Sequence, residues 1–133
     1  MRRILPPALL IATALAACDT RPPPPTPIKV TSEEQRQLHK LDAFNLAIGL
    51  KRAIYAAGYT CKRVTDAGFI GTYKNLDMWA AHCVYDNAAP RDWAIFAGPD
   101  GSAQVRDCRD IPGTGLPTCE IKRRPKGSFT SLK

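Results

Sequence analysis

The chain has 133 residues, a formal net charge of +7, twelve prolines and five cysteines, and at that length it has room for one domain. The charge sits at the ends: Arg2 and Arg3 carry two units, and Lys122, Arg123, Arg124, Lys126 and Lys133 carry five with no acid among residues 122–133. Residues 18–121 hold twelve basic and twelve acidic side chains, and a formally neutral body does not indicate a basic nucleic-acid-binding face, so no nucleic acid is expected as a partner.

Behind Arg2 and Arg3 comes an apolar run of fourteen residues, 4–17. Spanning about 30 Å of hydrocarbon takes roughly 20 residues, so the run is too short for a membrane helix. It has the build of a signal peptide over residues 1–17. The run ends in Leu15-Ala16-Ala17-Cys18. That stretch resembles the lipobox of bacterial lipoproteins, in which a small-residue run ends at a cysteine that becomes the acylated first residue. The resemblance implies lipidation of Cys18, with palmitate as the anchor, and a protein hung from a bacterial cell membrane or outer membrane on its periplasmic side. Asp19 follows the cysteine. In some bacteria an aspartate there keeps a lipoprotein in the inner membrane, but the rule varies between lineages and leaves the choice of membrane open. An ordinary secretory signal cut after Ala16 or Ala17 would instead leave Cys18 as an odd thiol in an exported protein. Acylation leaves Cys61, Cys83, Cys108 and Cys119, an even set suited to two disulfides in an oxidising compartment.

Residues 18–31 read as the lipidated cysteine and a proline-rich tether, with Pro22, Pro23, Pro24 and Pro25 in a row and then Pro27. Proline fixes φ and lacks an N–H, which favours an extended spacer at about 3.1 Å per residue, roughly 40 Å in all. A single α+β domain is expected over 32–121. Ser32 with Gln35 makes a capping box and Glu33 and Glu34 place acids in the first turn, which predicts one long helix over 33–57 stopped by Gly58. Leu38, Leu41, Phe44, Ile48 and Tyr55 form its apolar stripe, widened by Ala43, Leu46, Ala47, Leu50 and Ile54. Glu33, Arg36, His39, Lys40, Lys51 and Arg52 fall on the wet side.

After Gly58 the period turns from helical to alternating. Strands are expected over 59–64, 76–85, 93–97 and 103–108, with turns at Thr65-Asp66-Ala67-Gly68 and Gly98-Pro99-Asp100-Gly101 and Pro90 closing the second strand. In that strand Trp79, Ala81, Cys83 and Tyr85 should share one face and Met78, Ala80, His82 and Val84 the other. The fold class is thus α+β: one long N-terminal helix on a small antiparallel meander of about four strands, stabilised by disulfides. Four cysteines allow three pairings. The preferred one joins Cys61 to Cys83 across neighbouring strands and Cys108 to Cys119 around a proline-glycine loop.

No metal or cofactor is expected. Zinc sites usually need a close cysteine pair, and here the spacings are 21, 24 and 10 intervening residues. His82 adjoins Cys83, but strand neighbours point to opposite faces. Catalytic residues are expected to be none: no serine sits in a G-x-S-x-G elbow, and Ser102, His82 and the strand-end acids Asp77, Asp86 and Asp92 carry no motif. Tyr73, Trp79, Tyr85, Trp93 and Phe96 read as core beneath the helix, with a stacking surface as the competing use. Residues 122–133 read as a basic disordered tail, in which Lys122, Arg123, Arg124 and Lys126 offer an anion- or partner-binding patch. The expected function is a non-enzymatic binding or scaffolding role in the cell envelope. Its partners would be the membrane through the lipid anchor and an envelope protein, anionic lipid or cell-wall polymer. The alternatives are a periplasmic enzyme inhibitor acting through the Gly98 to Gly101 hairpin and, less favoured, a wall- or lipid-directed hydrolase built on His82.

Overall fold

The computed structural model describes residues 31–129; the expected leader (1–17), Cys18, the tether up to residue 30 and residues 130–133 lie outside the described residues. Two helices, α1 (Glu33–Lys40) and α2 (Ala43–Ala56), precede four strands, β1 (Arg63–Tyr73), β2 (Leu76–Val84), β3 (Arg91–Ala97) and β4 (Ala103–Asp107), and a short 3-10 turn at Cys108–Asp110. The strands form one antiparallel sheet in the order β1-β2-β3-β4. An α+β domain results, with helices on one face of a meander. No helix among the described residues is long and apolar enough to cross a membrane.

The single helix expected over 33–57 is two. Leu41 and Asp42 are both extended, and the Asp42 carboxylate accepts the Asn45 backbone N–H at 2.8 Å, capping a new helix where periodicity alone suggested continuation. The break resets the apolar phase. Ala43, Leu46, Ala47, Leu50 and Ile54 form the buried face of α2, whereas Phe44 and Tyr55, assigned to the central stripe from sequence, are exposed.

β1 also differs from expectation. Thr65 to Gly68 do not turn but continue the strand, with register shifts between Val64 and Asp66 and between Phe69 and Gly71. The chain reverses instead at Lys74-Asn75, with Lys74 at φ 56°, a left-handed conformation that a two-residue hairpin turn needs. The hairpin at Gly98 to Gly101 forms where expected: Gly101 has φ +80°, and the Asp100 carboxylate accepts both the Ser102 N–H and its hydroxyl.

Both faces of the sheet are apolar. On the helix side Leu46, Leu50 and Ile54 pack on Val64, Trp79, Ala81, Trp93 and Ile95; on the far side Ile70, Met78, Ala80, Ala94 and Phe96 lie under Ile111, Leu116 and Ile121. The alternation expected in the second strand therefore holds, and both tryptophans are core residues rather than a stacking surface. Cys61 bonds to Cys83, with Cα atoms 5.4 Å apart, and Cys108 to Cys119, at 5.9 Å. The first ties the approach to β1 onto β2, and the second closes the loop that covers the far face. In the chain-entropy description the two closures contribute about 3.4 and about 2.8 kcal/mol. Full reduction is expected to lower the thermal midpoint by roughly 25–50 °C in a domain of this size, measured by circular dichroism with and without reductant. An unchanged midpoint would contradict a stabilising role for the bridges.

Candidate functional site

α1 is short, yet it carries the polar side chains that fix the helix layer to the sheet. Its capping box forms as expected, the Ser32 hydroxyl accepting the Gln35 N–H at 3.1 Å and Gln35 Oε1 accepting the Ser32 N–H at 3.0 Å. Gln35 is also buried, and its Nε2 donates to the carbonyls of Asn75 at 2.9 Å and Ala97 at 3.0 Å. One turn further on, His39 does not face water as its helical position suggested. It packs 4.7 Å from the Phe69 ring and 4.9 Å from Trp79, with Nε2 2.8 Å from the carboxylate of buried Asp77. Arg123 meets His39 at Nδ1. A guanidinium has no acceptor, so Nδ1 accepts and the ring proton sits on Nε2, donated to Asp77. Thr72 donates to the other Asp77 oxygen at 3.3 Å.

Arg123 belongs to the segment expected to be a disordered tail, and residues 122–129 correct that expectation. The Lys122 and Arg123 N–H groups donate to the Phe69 carbonyl at 2.9 and 3.1 Å, and the Phe69 N–H donates to the Arg123 carbonyl at 2.8 Å. The Lys126 carbonyl accepts the Ala43 N–H at the start of α2 at 2.8 Å. The segment is a strap along the outer edge of β1. Gly68 permits the approach, since a Cβ there would meet the Ile121 side chain and the Arg123 carbonyl.

The expected anion-binding residues are mostly engaged by the domain itself. Arg124 forms a two-pronged pair with Asp66 at 2.8 and 3.0 Å, Lys122 approaches Glu120 at 3.5 Å, and the Arg123 guanidinium lies 5.0 Å over the Phe69 ring. Lys40, Arg123, Arg124 and Lys126 nevertheless border a crevice of about 440 Å³ floored by His39 and Trp79.

A second surface follows β4. Between the helices and the β3–β4 hairpin runs an apolar groove of about 650 Å³, walled by Leu38, Leu41, Leu50 and Ala53 and floored by Ile95, Ala97 and Ala103. Beyond Ala103 a polar hollow of about 890 Å³ takes over along Gln104 to Asp107, with Tyr59, Trp93 and Arg91 behind it. Tyr59 stacks 4.5 Å from Trp93, and the Arg91 guanidinium lies 5.5 Å from the same ring. Asp107 gathers the cations here: its carboxylate accepts from Arg109 Nη2 at 2.7 Å and pairs with Arg91 at 3.5 Å. The Arg109 hydrogen bonds hold the Asp107 carboxyl below the ordinary aspartate range, against the raising effect of its burial, and the charges of Arg109 and Arg91 add to the lowering.

The residues weighed for catalysis are not gathered. His82 pairs with Asp92 at 2.5 Å across β2 and β3, and neither side chain lines any of the three hollows above. Ser102 is taken up by the hairpin turn, and Asp86 pairs with Lys62 at 3.2 Å. Among the described residues no group of three or more histidine, cysteine or acidic side chains is placed to hold a metal ion. Sequence reading missed Gln35 as a sheet anchor and Asp77 as a buried acid. The signal for Gln35 was its capping-box position, and Asp77 resembled any turn-solvating acid at a strand end. Comparison with protein-family models, curated proteins and solved structures returns no match.

Two outcomes are expected. Gly68→Ala should displace the strap, costing about 1–3 kcal/mol by overpacking and speeding tryptic cleavage between residues 122 and 126, whereas Arg124→Ala, which removes only an exposed pair, should leave cleavage nearly unchanged. The second concerns pH. Because the Asp107 carboxyl is more acidic folded than unfolded, its contribution is complete above the unfolded value of about 3.9 and is lost as pH falls through the lower folded value. Asp107→Asn should therefore be less stable than the parent at pH 7, with the gap closing in acid, as read by denaturant melts across pH.

Proposed function

We propose that this chain is a small lipid-anchored protein of the bacterial cell envelope, held at a membrane through Cys18 with its domain on the periplasmic side, and that the domain binds a partner without transforming it. The observation that carries the reading is the pairing of Cys61 with Cys83 and Cys108 with Cys119. It consumes four of the five cysteines and leaves the one at the end of Leu15-Ala16-Ala17-Cys18. Disulfides persist in oxidising compartments, where a lipoprotein domain would reside. The proline-rich residues up to 31 would then supply a spacer of up to roughly 40 Å between bilayer and domain.

For the binding role, the strap supports less than its charge suggests. Arg124, Lys122 and Arg123 already meet side chains of the domain, so the strap is first a structural element and only then a basic surface. The apolar groove beside β4 is the better support, because a contiguous exposed apolar patch rimmed by polar residues marks an interaction site. An envelope protein is accordingly favoured over a lipid head group.

The anchor is tested by Cys18→Ser in the full chain. The parent should fractionate with membranes, incorporate labelled palmitate and carry the mass of an acylated cysteine. The variant should lose all three. A parent recovered entirely in the soluble periplasmic fraction, or a variant still membrane-bound, would sink the proposal.

A further inference from the structure

The two edges of the sheet are treated differently. The outer edge of β1 is closed by the chain's own strap through the Phe69 hydrogen bonds to Lys122 and Arg123. The outer edge of β4 has no such cover among the described residues. Which of its groups point outward follows from the ladder. Tyr73 and Leu76 flank a two-residue turn and form a hydrogen-bonded pair, so Thr72 and Asp77 do not bond each other and Asp77 turns its backbone groups toward Ala97 of β3. Ala97 thus faces β2, and its neighbour Ala103 directs its N–H and C=O away from the sheet. The Gly98 N–H bond to the Ser102 carbonyl at 2.8 Å gives the same phase from the hairpin end. With no register shift in β3–β4, the open groups are those of Ala103, Val105 and Asp107, whereas Gln104 and Arg106 are used in the ladder.

We infer that this edge takes up an extended segment of another envelope protein as a fifth strand, with apolar side chains alternating with acidic ones. The inference deepens the binding role proposed above and rests on that reading for the partner's compartment, not for its chemistry. Side chains directly opposite each other across two strands share a face. Residues of the added strand opposite Ala103 and Val105 project on the helix side, into the groove walled by Leu50 and Ala53, and this selects apolar groups there. The residue opposite Arg106 projects on the far face. Arg106 has no ion pair among the described residues, while Arg91 and Arg109 share the single carboxylate of Asp107, so an acid opposite Arg106 completes the charge. A second copy of this chain fits less well: antiparallel pairing about Val105 sets Arg106 against Gln104 and leaves its charge unmatched. β4 has five residues, which fits a segment of about five to seven residues at 3.3 Å each.

The test uses the full-length chain and a capped octapeptide alternating valine with glutamate and threonine, against a peptide of the same composition with the valines in one block. The alternating peptide should bind and slow amide hydrogen exchange at Ala103, Val105 and Asp107 while leaving Gln104 and Arg106 nearly unchanged. Ala103→Pro and Val105→Pro each remove one outward N–H that the ladder does not use, so both should fold with intact disulfides and lose binding. Arg106→Glu should weaken the glutamate peptide by about threefold to tenfold and favour its lysine counterpart. Absence of binding at millimolar peptide, protection without the every-second-residue pattern, binding that survives both prolines, or concentration-dependent dimerisation through β4 would each overturn the inference. Cys18→Ser should bind the peptide as the parent does. A parent chain that is not acylated but binds the peptide therefore counts against the lipoprotein reading alone, and an acylated parent that fails to bind it counts against the strand addition alone.

Discussion

A small sheet with two apolar faces must cover both, and the helices of this chain suffice for one. α2 takes the face of Trp79, Trp93 and Ile95. The face of Met78, Ala94 and Phe96 falls to residues 108–121, an irregular stretch with few backbone hydrogen bonds of its own. Such a cover needs a constraint to stay in place, and the Cys108–Cys119 bridge supplies one, with Ile111 buried beneath it. The path of the chain follows from this. Leaving the far face at Ile121, it reaches the rim of β1, where Gly68 lets it approach closely and become a strap. Closure of the β1 edge is thus a consequence of how the far face is covered, and among the described residues β4 is left as the open edge of the sheet.

On the other side the organising feature is polar. Gln35 and His39 reach from α1 to the carbonyls of Asn75 and Ala97 and to the Asp77 carboxylate, so α1 is fastened to the β1–β2 end of the sheet. Buried polar groups of this kind are tolerated because their hydrogen bonds are made within the protein. With α1 fixed there and the helix axis broken at Leu41-Asp42, the helix layer leaves an apolar groove beside the β3–β4 hairpin. The groove and the open strand edge lie together among the described residues, and that juxtaposition is what supports the proposed binding role.

Much of the fold was legible in the sequence where local chemistry decides. Alternation from Leu76 onward assigned the two faces of β2, Gly98 to Gly101 marked the hairpin, and Ser32 with Gln35 marked the first helical turn. The failures share one cause. Asp42 interrupts a run that remains apolar on both sides; its carboxylate caps a new helix whose first N–H, that of Ala43, is taken by the carbonyl of Lys126 far along the chain. Thr65 to Gly68 have turn composition, yet Asp66 is spoken for by Arg124 and Gly68 by the Ile121 side chain and the Arg123 carbonyl, partners more than fifty residues away. Residues 122–126 look like solvated tail for the same reason, since their hydrogen-bonding partners lie on β1 and α2.

By itself, the sequence determined the lipobox resemblance, the even set of cysteines that follows it, the α+β class and the inward and outward faces of the central strand. Each of these rests on residue spacing or on neighbours within one turn or one strand, where the chain's covalent geometry alone sets what can meet. Tertiary structure decided the division of the helix, the partial burial of His39 and the burial of Asp77, the conversion of a basic tail into a strap, and which sheet edge stays open among the described residues. Those depend on contacts between segments far apart in the chain, whose energies exist only after the sheet has assembled and its second face has claimed the C-terminal residues.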